Sequence, residues 1–459
     1  MAANHSLMYA PAALRMGSVL QQFPPVAYAF AYGSGAHYQP GLYDNVRSEK
    51  STSTASHLER VRHDASTEPS VRPRQDCTLS NCETSTSASS NTLSFDAFRR
   101  RGQVPVIDFI FTVKDAHEWH QQASPNTLFI LSGSLHQYIQ NISRNSDHYS
   151  WVGRLGPKVV CSVAEAIGVG VHFNALVQMN GQMTIKYGVV EAATLERDLS
   201  LWEHLYIAGR MHKPVTPLLP APPGPLAAAQ ETNLHNALAA ALVLLPPTFT
   251  EEELLRTLVG LSYRGDIRLA IGAEDPNKVA RIVDGSWDEL YSMYMPLLIQ
   301  QSGRYSTLKL EVMGQVAPTS AMRSGGGANS GCRLWRQSKD AEAQGAALQL
   351  LAPGLLHEMA ARLGYHVPLE HLAPGTSTQK EVVAAAMRSG AVQRLTADSL
   401  AAIVRRSSIY QAAAGLLAAG GGKAVQYVGS KMAKAVRPLF AMAIPAGGNA
   451  TGHKNRGVS

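Results

Sequence analysis

The chain has 459 residues, 45% of them hydrophobic, and a mean hydropathy of -0.08, which excludes a wholly disordered chain and leaves room for two or three domains with cores of their own. The longest apolar run, Ala237 to Leu245, is far short of the roughly 20 residues that cross a bilayer, and Cys77, Cys82, Cys161 and Cys332 are too scattered for a disulfide framework or a structural zinc site. The formal charge of +7 belongs to one end, because eight of the 41 basic residues and no acid follow Asp398, leaving 33 basic against 34 acidic residues in a body with no nucleic-acid signature.

Residues 1–22 carry Arg15 and no acid, which fits a possible organellar transit segment, though one poor in arginine. The apolar run Val26 to Phe30 predicts a strand that ends in the turn Tyr32-Gly33-Ser34-Gly35. Such a turn exposes backbone N–H groups and one hydroxyl to a triphosphate, because glycine permits φ > 0 and close backbone approach. Most Gly-Ser turns only join a strand to a helix. Here the strand-like Val106 to Val113 adds Asp108, and a carboxylate inside an apolar run is costly unless it binds something. Beside the turn it would hold a Mg²⁺ that neutralises phosphate; the alternative is an edge residue paired with a neighbour. Residues 44–103 lie between the two strands and read as a disordered insertion, since 17 of the 42 residues from Ser51 to Thr92 are Ser or Thr. Loop-closure entropy grows slowly with length, so the strands can still be neighbours.

Asp115 is placed to cap a helix carrying Trp119 and His120. Val159 to Val163, Val171 to Met179 and Met183 to Val190 read as strands, the last two joined by the hairpin signal Asn180-Gly181, and Leu195 to Ala208 has helical spacing. The proline-rich stretch Pro214 to Pro225 reads as a stiff linker. Asn233 to Leu245 is expected to be helical, Thr250 to Glu253 has the form of a capping box, and Ile267 to Ile271 is strand-like. A glycine-rich loop at Ser324 to Cys332 precedes helical segments around Ala343 to Leu363 and Gln379 to Met387. In the tail, a helix over Lys423 to Arg437 would set Lys423, Lys431, Lys434 and Arg437 on one face and Val425, Val428, Met432, Val436 and Leu439 on the other. That is the pattern of a helix lying on an anionic membrane surface; docking of the apolar stripe on the protein's own core is the alternative.

Several blocks occur in order: Phe23 to Gly35, Ile107 to Val113, His148 to Ser150, Leu155 to Lys158, Ile185 to Gly188, Leu205 to Arg210 with Lys213-Pro214, Gly260 to Asp266, and Ala402 to Arg405 with Ser407 to Ile409. Together they closely resemble the mitochondrial phosphatidate cytidylyltransferase family, also called the translocator assembly and maintenance family. The resemblance implies an α+β chain: a polymerase-beta-like nucleotidyltransferase domain, a mainly helical winged-helix-like domain and a basic amphipathic C-terminal tail. It implies condensation of CTP with phosphatidic acid to CDP-diacylglycerol and diphosphate, with Mg²⁺, in cardiolipin and phosphatidylglycerol synthesis. The enzyme would lie on the matrix side of the mitochondrial inner membrane as a peripheral protein. The expected divisions are a nucleotidyltransferase domain over 23–225, a second domain over 226–398 with a loop at 316–345, and a membrane-associating tail over 399–459.

On this reading Gly33, Ser34 and Gly35 cradle phosphates, Asp108 is a Mg²⁺ ligand, and Lys186 projects toward phosphate from its strand, a solvated lysine being the alternative. Lys158, Tyr187, Arg210 and Lys213 complete the candidate nucleotide-binding set; Arg210 and Lys213 equally suit the phosphatidate head, or simply the end of a helix. His148 and Tyr149 are candidates to approach base or ribose, a buried aromatic beside a satisfied histidine being the favoured alternative, and Tyr263 and Asp266 to close over the site, though turn formation explains Gly265-Asp266 equally well. The wider superfamily places a second acid two residues after the first, and here that position is Ile110. The second metal ligand is therefore unassigned, with Asp115 a candidate that a capping role explains as well. The competing functions are another nucleotidyltransferase, acting on RNA or a small molecule, and a membrane-peripheral scaffold for mitochondrial protein import. Neither oligomeric state nor acyl-chain preference is written in the chain.

Overall fold

The computed structural model describes residues 19–37, 39–40, 106–123, 151–179, 183–299, 305–316 and 332–442, with 419–442 as helical backbone only. Strand β1 (Tyr28–Tyr32) alternates Tyr28, Phe30 and Tyr32 with Ala29 and Ala31, the period-2 pattern of a strand with two different faces. It pairs antiparallel with β2 (Val106–Val113), so the two strands flanking the long insertion are neighbours, with Tyr32 opposite Asp108. Helix α1 (Ala116–Ala123) follows, its first turn capped by Asp115, which accepts from the Glu118 N–H at 2.8 Å. Next come α2 (Pro157–Ala166), β3 (His172–Met179) and β4 (Met183–Glu191), then α3 (Ala192–Leu201), the short α4 (Ala208–Met211) and β5 (Thr216–Leu219). The five strands form one mixed sheet in the order β3-β4-β2-β1-β5. β2 and β4 are parallel, as a connection through two helices allows.

Two departures from expectation have local causes. Val159 to Val163 lies in α2, not in a strand: Pro157 opens a helix after Gly156 (φ 98°), and the buried pair Val160 and Ala164 stands at i, i+4. The expected proline linker contains β5, where Pro217 sits opposite Phe30 on a sheet edge, a position that does not require its missing N–H.

The remainder is mostly helical. Helix α5 (Pro225–Leu244) buries every residue from Ala237 to Val243, as a helix that is apolar all round must. Strand β6 (Thr248–Thr250) runs into α6 (Glu251–Gly260) through the expected capping box: the Thr250 hydroxyl accepts from the Glu253 N–H at 3.1 Å, and Glu253 accepts from the Thr250 N–H at 2.7 Å. Then come α7 (Ile267–Ala270), α8 (Lys278–Gly285), α9 (Trp287–Ile299), β7 (Glu311–Val316) and β8 (Cys332–Arg336). The strand expected at Ile267 is α7, because Asp266 caps the Arg268 N–H at 2.9 Å and starts a helical turn. β6, β8 and β7 make a three-stranded sheet. Helices α10 (Ala341–Gln349), α11 (Pro353–Arg362), α12 (Ser377–Arg388) and α13 (Val392–Met442) complete the chain. The expected boundary at 399 falls inside α13, where Leu400, Ile403 and Val404 are core residues and Ala414 and Ala418 are still buried. The backbone helix runs on through Gly420 to Gly422 and carries Lys423, Lys431, Lys434 and Arg437, whose side chains lie outside the described residues. So do the insertion at 44–103, His148, Tyr149 and the Asn180-Gly181 tip, although Met179 and Met183 pair on either side of that tip. Among the described residues no helix is long and apolar enough to cross a membrane.

The large sheet separates two cores. Ile107, Phe109, Phe111, Ile185 and Tyr187 meet Trp119 of α1 on one face. Tyr28, Phe30, Ile110 and Val190 meet the helices on the other. A cavity opens on this second face.

Candidate active site

A cavity of about 230 Å³ lies between the end of β1, the first half of β2, α4, the α6–α8 region and the middle of α13. Its floor is a row across three strands: Tyr32 stands opposite Asp108, and Asp108 beside Lys186. Residues in register share a face, and all three line the cavity. The Lys186 ammonium also rests 4.1 Å from the Phe173 ring centroid.

The turn after β1 is built by its two glycines in different ways. Gly33 takes φ +77°, a left-handed conformation that side-chain-bearing residues rarely adopt, and a Cβ there would stand 3.4 Å from Asp108 Oδ2. The Gly33 carbonyl accepts from the Ala36 N–H at 3.1 Å and the His37 N–H at 2.9 Å, closing the turn. Gly35 lies flat on β2: a Cβ would be 2.6 Å from the Val106 carbonyl oxygen and 3.1 Å from Ile107 Cα. Gly33 and Ser34 therefore line the cavity beside Asp108, while Gly35 anchors the turn from behind.

The opposite wall is cationic. Arg210, on α4, stacks 3.8 Å from the Tyr206 ring centroid and 5.1 Å from that of Tyr32, and Nη1 donates to the Tyr206 carbonyl at 2.6 Å. Its Nε is buried without a hydrogen-bond partner. Lys213 donates from Nζ to the Gly209 carbonyl and to Ser262 Oγ (2.5 Å), 5.0 Å from the Tyr263 ring centroid. Burial, with Arg210, Lys278 and Arg268 nearby, pushes the Lys213 ammonium well below the ordinary lysine range. Burial also raises the Tyr32 hydroxyl to about 12, so it stays protonated near neutrality. Two further cations complete the wall with acidic partners of their own: Arg268 is held by Asp266 (Nε to Oδ1 3.0 Å), and Lys278 by Glu274 at 3.1 Å. Arg210 and Lys213 have only neutral hydrogen-bond partners among the described residues.

The sequence candidates thus divide. Gly33, Ser34, Asp108, Lys186, Arg210 and Lys213 meet at the cavity, and Tyr263 and Asp266 line it on the side of Lys213. Tyr187 does not line it: one residue past Lys186, it points to the other face of the sheet and packs in the core of α1 against Phe111 and Phe23. Lys158 also lies outside it, exposed in the first turn of α2. Ile110, where a second acid would stand, is fully buried over Gly188, whose Cβ would meet Ile110 Cδ1 at 3.0 Å; there is no room there for a solvated ligand. Asp115, the other candidate for that role, is an exposed helix cap at the far end of β2. Missing from the sequence reading were Ser262, Arg268, Glu274 and Lys278, and the Ser407-Ser408 pair of α13 as lining residues. The Gly260 to Asp266 block contains Ser262 and ends two residues before Arg268, whereas nothing local marks Lys278.

Comparison with known proteins gives one consistent result. The family model described as "Phosphatidate cytidylyltransferase, mitochondrial" matches residues 16–434. A protein of that name from Xenopus laevis is 33% identical over 335 residues, covering 73% of this chain and 84% of that protein. Its namesake from Danio rerio is 32% identical over 331 residues, 72% of this chain and 83% of its own. The Drosophila melanogaster protein of the same name is 42% identical over 199 residues, 43% of this chain and 53% of its own.

Proposed function

This chain belongs to the mitochondrial phosphatidate cytidylyltransferase family, and from that premise we propose that its cavity joins CTP to phosphatidic acid, forming CDP-diacylglycerol and releasing diphosphate. The observation that carries the reading is the Gly33-Ser34 turn set against Asp108 on one wall, with Arg210 and Lys213 on the other. In the reaction a phosphatidate phosphate oxygen attacks the α-phosphorus of CTP in line with the departing diphosphate. Such a transfer depends on positioning and on compensation of charge rather than on a covalent intermediate. The turn's N–H groups and the Ser34 hydroxyl bind the β- and γ-phosphates. Arg210, Lys213 and Lys186 offset the charge that collects on the leaving diphosphate. Tyr206 and Tyr32 hold the Arg210 plane in place, and Tyr263 and Asp266 extend the same wall beside Lys213 and Arg268.

The donor set suits a Mg²⁺ shared with substrate. Asp108 is a single carboxylate facing a phosphate-sized turn, and no group of three or more His, Cys, Asp or Glu among the described residues could cage a metal ion. Mg²⁺ is commonly held by one or two carboxylates, substrate phosphates and water. When bound, it would polarise the phosphates and offset their charge. The cavity belongs to a polymerase-beta-like nucleotidyltransferase domain in this reading, and the helical half that faces it to a winged-helix-like domain. The protein acts as a peripheral enzyme on the matrix side of the mitochondrial inner membrane, with Lys423, Lys431, Lys434 and Arg437 drawn to anionic lipid.

The test uses purified full chain, labelled CTP, phosphatidate vesicles and Mg²⁺, with Asp108→Ala alongside. Wild type is expected to form CDP-diacylglycerol and the variant to lose at least about 100-fold, the scale set by removal of one preorganised electrostatic group. No product from wild type with any divalent cation would overturn the proposal.

A further inference from the structure

The cavity's unpaired cations hang from a piece of backbone with an unusual support. After α3 the chain turns through Trp202 to Ile207 before starting α4, and two residues of that turn, Trp202 (φ 58°) and Leu205 (φ 49°), are left-handed without being glycine. Both are almost fully buried. Left-handed conformations of such residues persist only where the surroundings over-determine them. What holds this turn is Asp198, in the last turn of α3 and 5% exposed. Its Oδ1 accepts from the His204 N–H at 3.0 Å, and its Oδ2 from the N–H groups of Tyr206 (3.1 Å), Ile207 (2.9 Å) and Ala208 (3.0 Å). No Lys or Arg is bonded to it among the described residues, so four backbone dipoles carry the compensation a buried carboxylate requires.

The geometry points to Asp198 as the positioning residue that sets Arg210 against the cavity, acting through the turn it ties. The links are explicit. The Tyr206 N–H is bonded to Asp198, while the Tyr206 carbonyl and ring hold the Arg210 guanidinium. Ala208, the first residue of α4, the helix that carries Arg210, is bonded to the same oxygen. The residue type matters. A carboxylate is acceptor-only at both oxygens, whereas an asparagine would aim an NH₂ group at one or more of the same donors. Asp198→Asn therefore keeps the volume and breaks the turn's support on one side. Asp198 touches neither the cavity nor the reacting atoms, so its effect on nucleotide binding must travel through Tyr206 and Arg210.

This inference rests on the reading of Arg210 as a CTP-phosphate contact, so CTP binding by wild type is measured first. Its absence would overturn that reading. Asp198→Asn is expected to raise Kd and KM for CTP about tenfold, the scale of one lost charge-assisted hydrogen bond. A merely structural loss would lower the active fraction, and hence apparent kcat, at unchanged KM. The decisive arm is a double-mutant cycle in Kd: in an Arg210→Ala background Asp198→Asn should change CTP affinity less than twofold. Losses that multiply, or an Asp198→Asn protein with wild-type Kd and KM, would overturn the proposal. Hydrogen exchange on wild type keeps the test open if the variant does not fold. The amides of His204, Tyr206, Ile207 and Ala208 should be protected before any nucleotide is added, and exchange there at open-loop rates would overturn the role of Asp198 whatever CTP does.

Discussion

Gly35→Ala isolates the placement of the phosphate turn from its composition. Gly35 is not at positive φ, so alanine meets no torsional penalty there, and the perturbation is steric alone. The new Cβ would stand 2.6 Å from the Val106 carbonyl oxygen and 3.1 Å from Ile107 Cα, against an ordinary contact of at least 3.4 Å. Both opposing atoms are backbone of β2, which pairs with β4 at these residues and with β1 from Asp108 onward, so β2 yields little and the turn lifts by about 0.8 Å. Gly33 and Ser34 move with it, away from Asp108. A displacement approaching 1 Å in a positioning element costs about 100-fold in rate, which corresponds to about 2.7 kcal/mol of transition-state stabilisation. The assay is steady-state CDP-diacylglycerol formation from CTP and phosphatidate vesicles, with a thermal melt of the same protein to show that it is folded. Gly33→Ala is the companion: its nearest neighbour is at an acceptable 3.4 Å, but its φ of +77° strains any side chain by about 1–2 kcal/mol, so it should lower stability as well as activity. A Gly35→Ala enzyme within threefold of wild-type kcat/KM would refute the claim that contact with β2 positions the turn.

Two other outcomes follow from the same structure. Burial lowers His120 to about 3 and His172 to about 4, and their rings meet edge to face with centroids 5.6 Å apart. The unfolded chain takes up protons near pH 6.5 and the folded protein does not, so their stabilisation is complete above pH 6.5 and is lost as pH falls from there toward 4. At pH 5.5 the pair together costs on the order of 2 to 3 kcal/mol; equal denaturation midpoints at pH 7.5 and 5.5 would contradict this. Removing the chain after residue 420 leaves the packed part of α13 in place through Ala418 and deletes Lys423, Lys431, Lys434 and Arg437. It should weaken binding to anionic vesicles more at low salt than at high salt, and a salt-independent loss would reject electrostatic attraction as its cause.

What could be read in the sequence was what is local or periodic. The Gly-Ser turn, the capping box at Thr250 and the cap at Asp115 each depend on residues within a few positions, and each is found as expected. The pairing of β1 with β2 was also legible, because an insertion that contributes little to a core does not separate the strands flanking it. Tyr187 is wrong as a nucleotide-binding candidate: period-2 alternation turns it to the face away from Lys186, and its ring is buried in the core beside Trp119. The failures lie where local preference and tertiary context compete. Val159 to Val163 is rich in β-branched residues, yet Pro157 and the spacing of Val160 and Ala164 fix a helix. Pro217 looks like a linker residue until an edge strand makes its missing N–H harmless.

The cationic wall was half visible for a related reason. Arg210 and Lys213 stand in one short block and could be named together, but the groups that decide their chemistry come from elsewhere in the chain. Tyr32 arrives from β1 and Ser262 from the turn after α6. Arg268 and Lys278 surround Lys213 and help to lower its affinity for a proton. Asp198 carries no signal in sequence, since one aspartate at the end of a helix resembles any other. Only the convergence of four N–H groups on it, from residues six to ten positions later, distinguishes it from a surface carboxylate. A buried cation without an acidic partner is unfavourable in the free protein and favourable once an anion enters. On the proposed reading, a phosphate entering the cavity would supply the acidic partner that Arg210 lacks among the described residues. That reading requires α4 not to relax toward Asp266 or Glu274 when the cavity is empty, and the Asp198-tied turn is the element proposed to hold it.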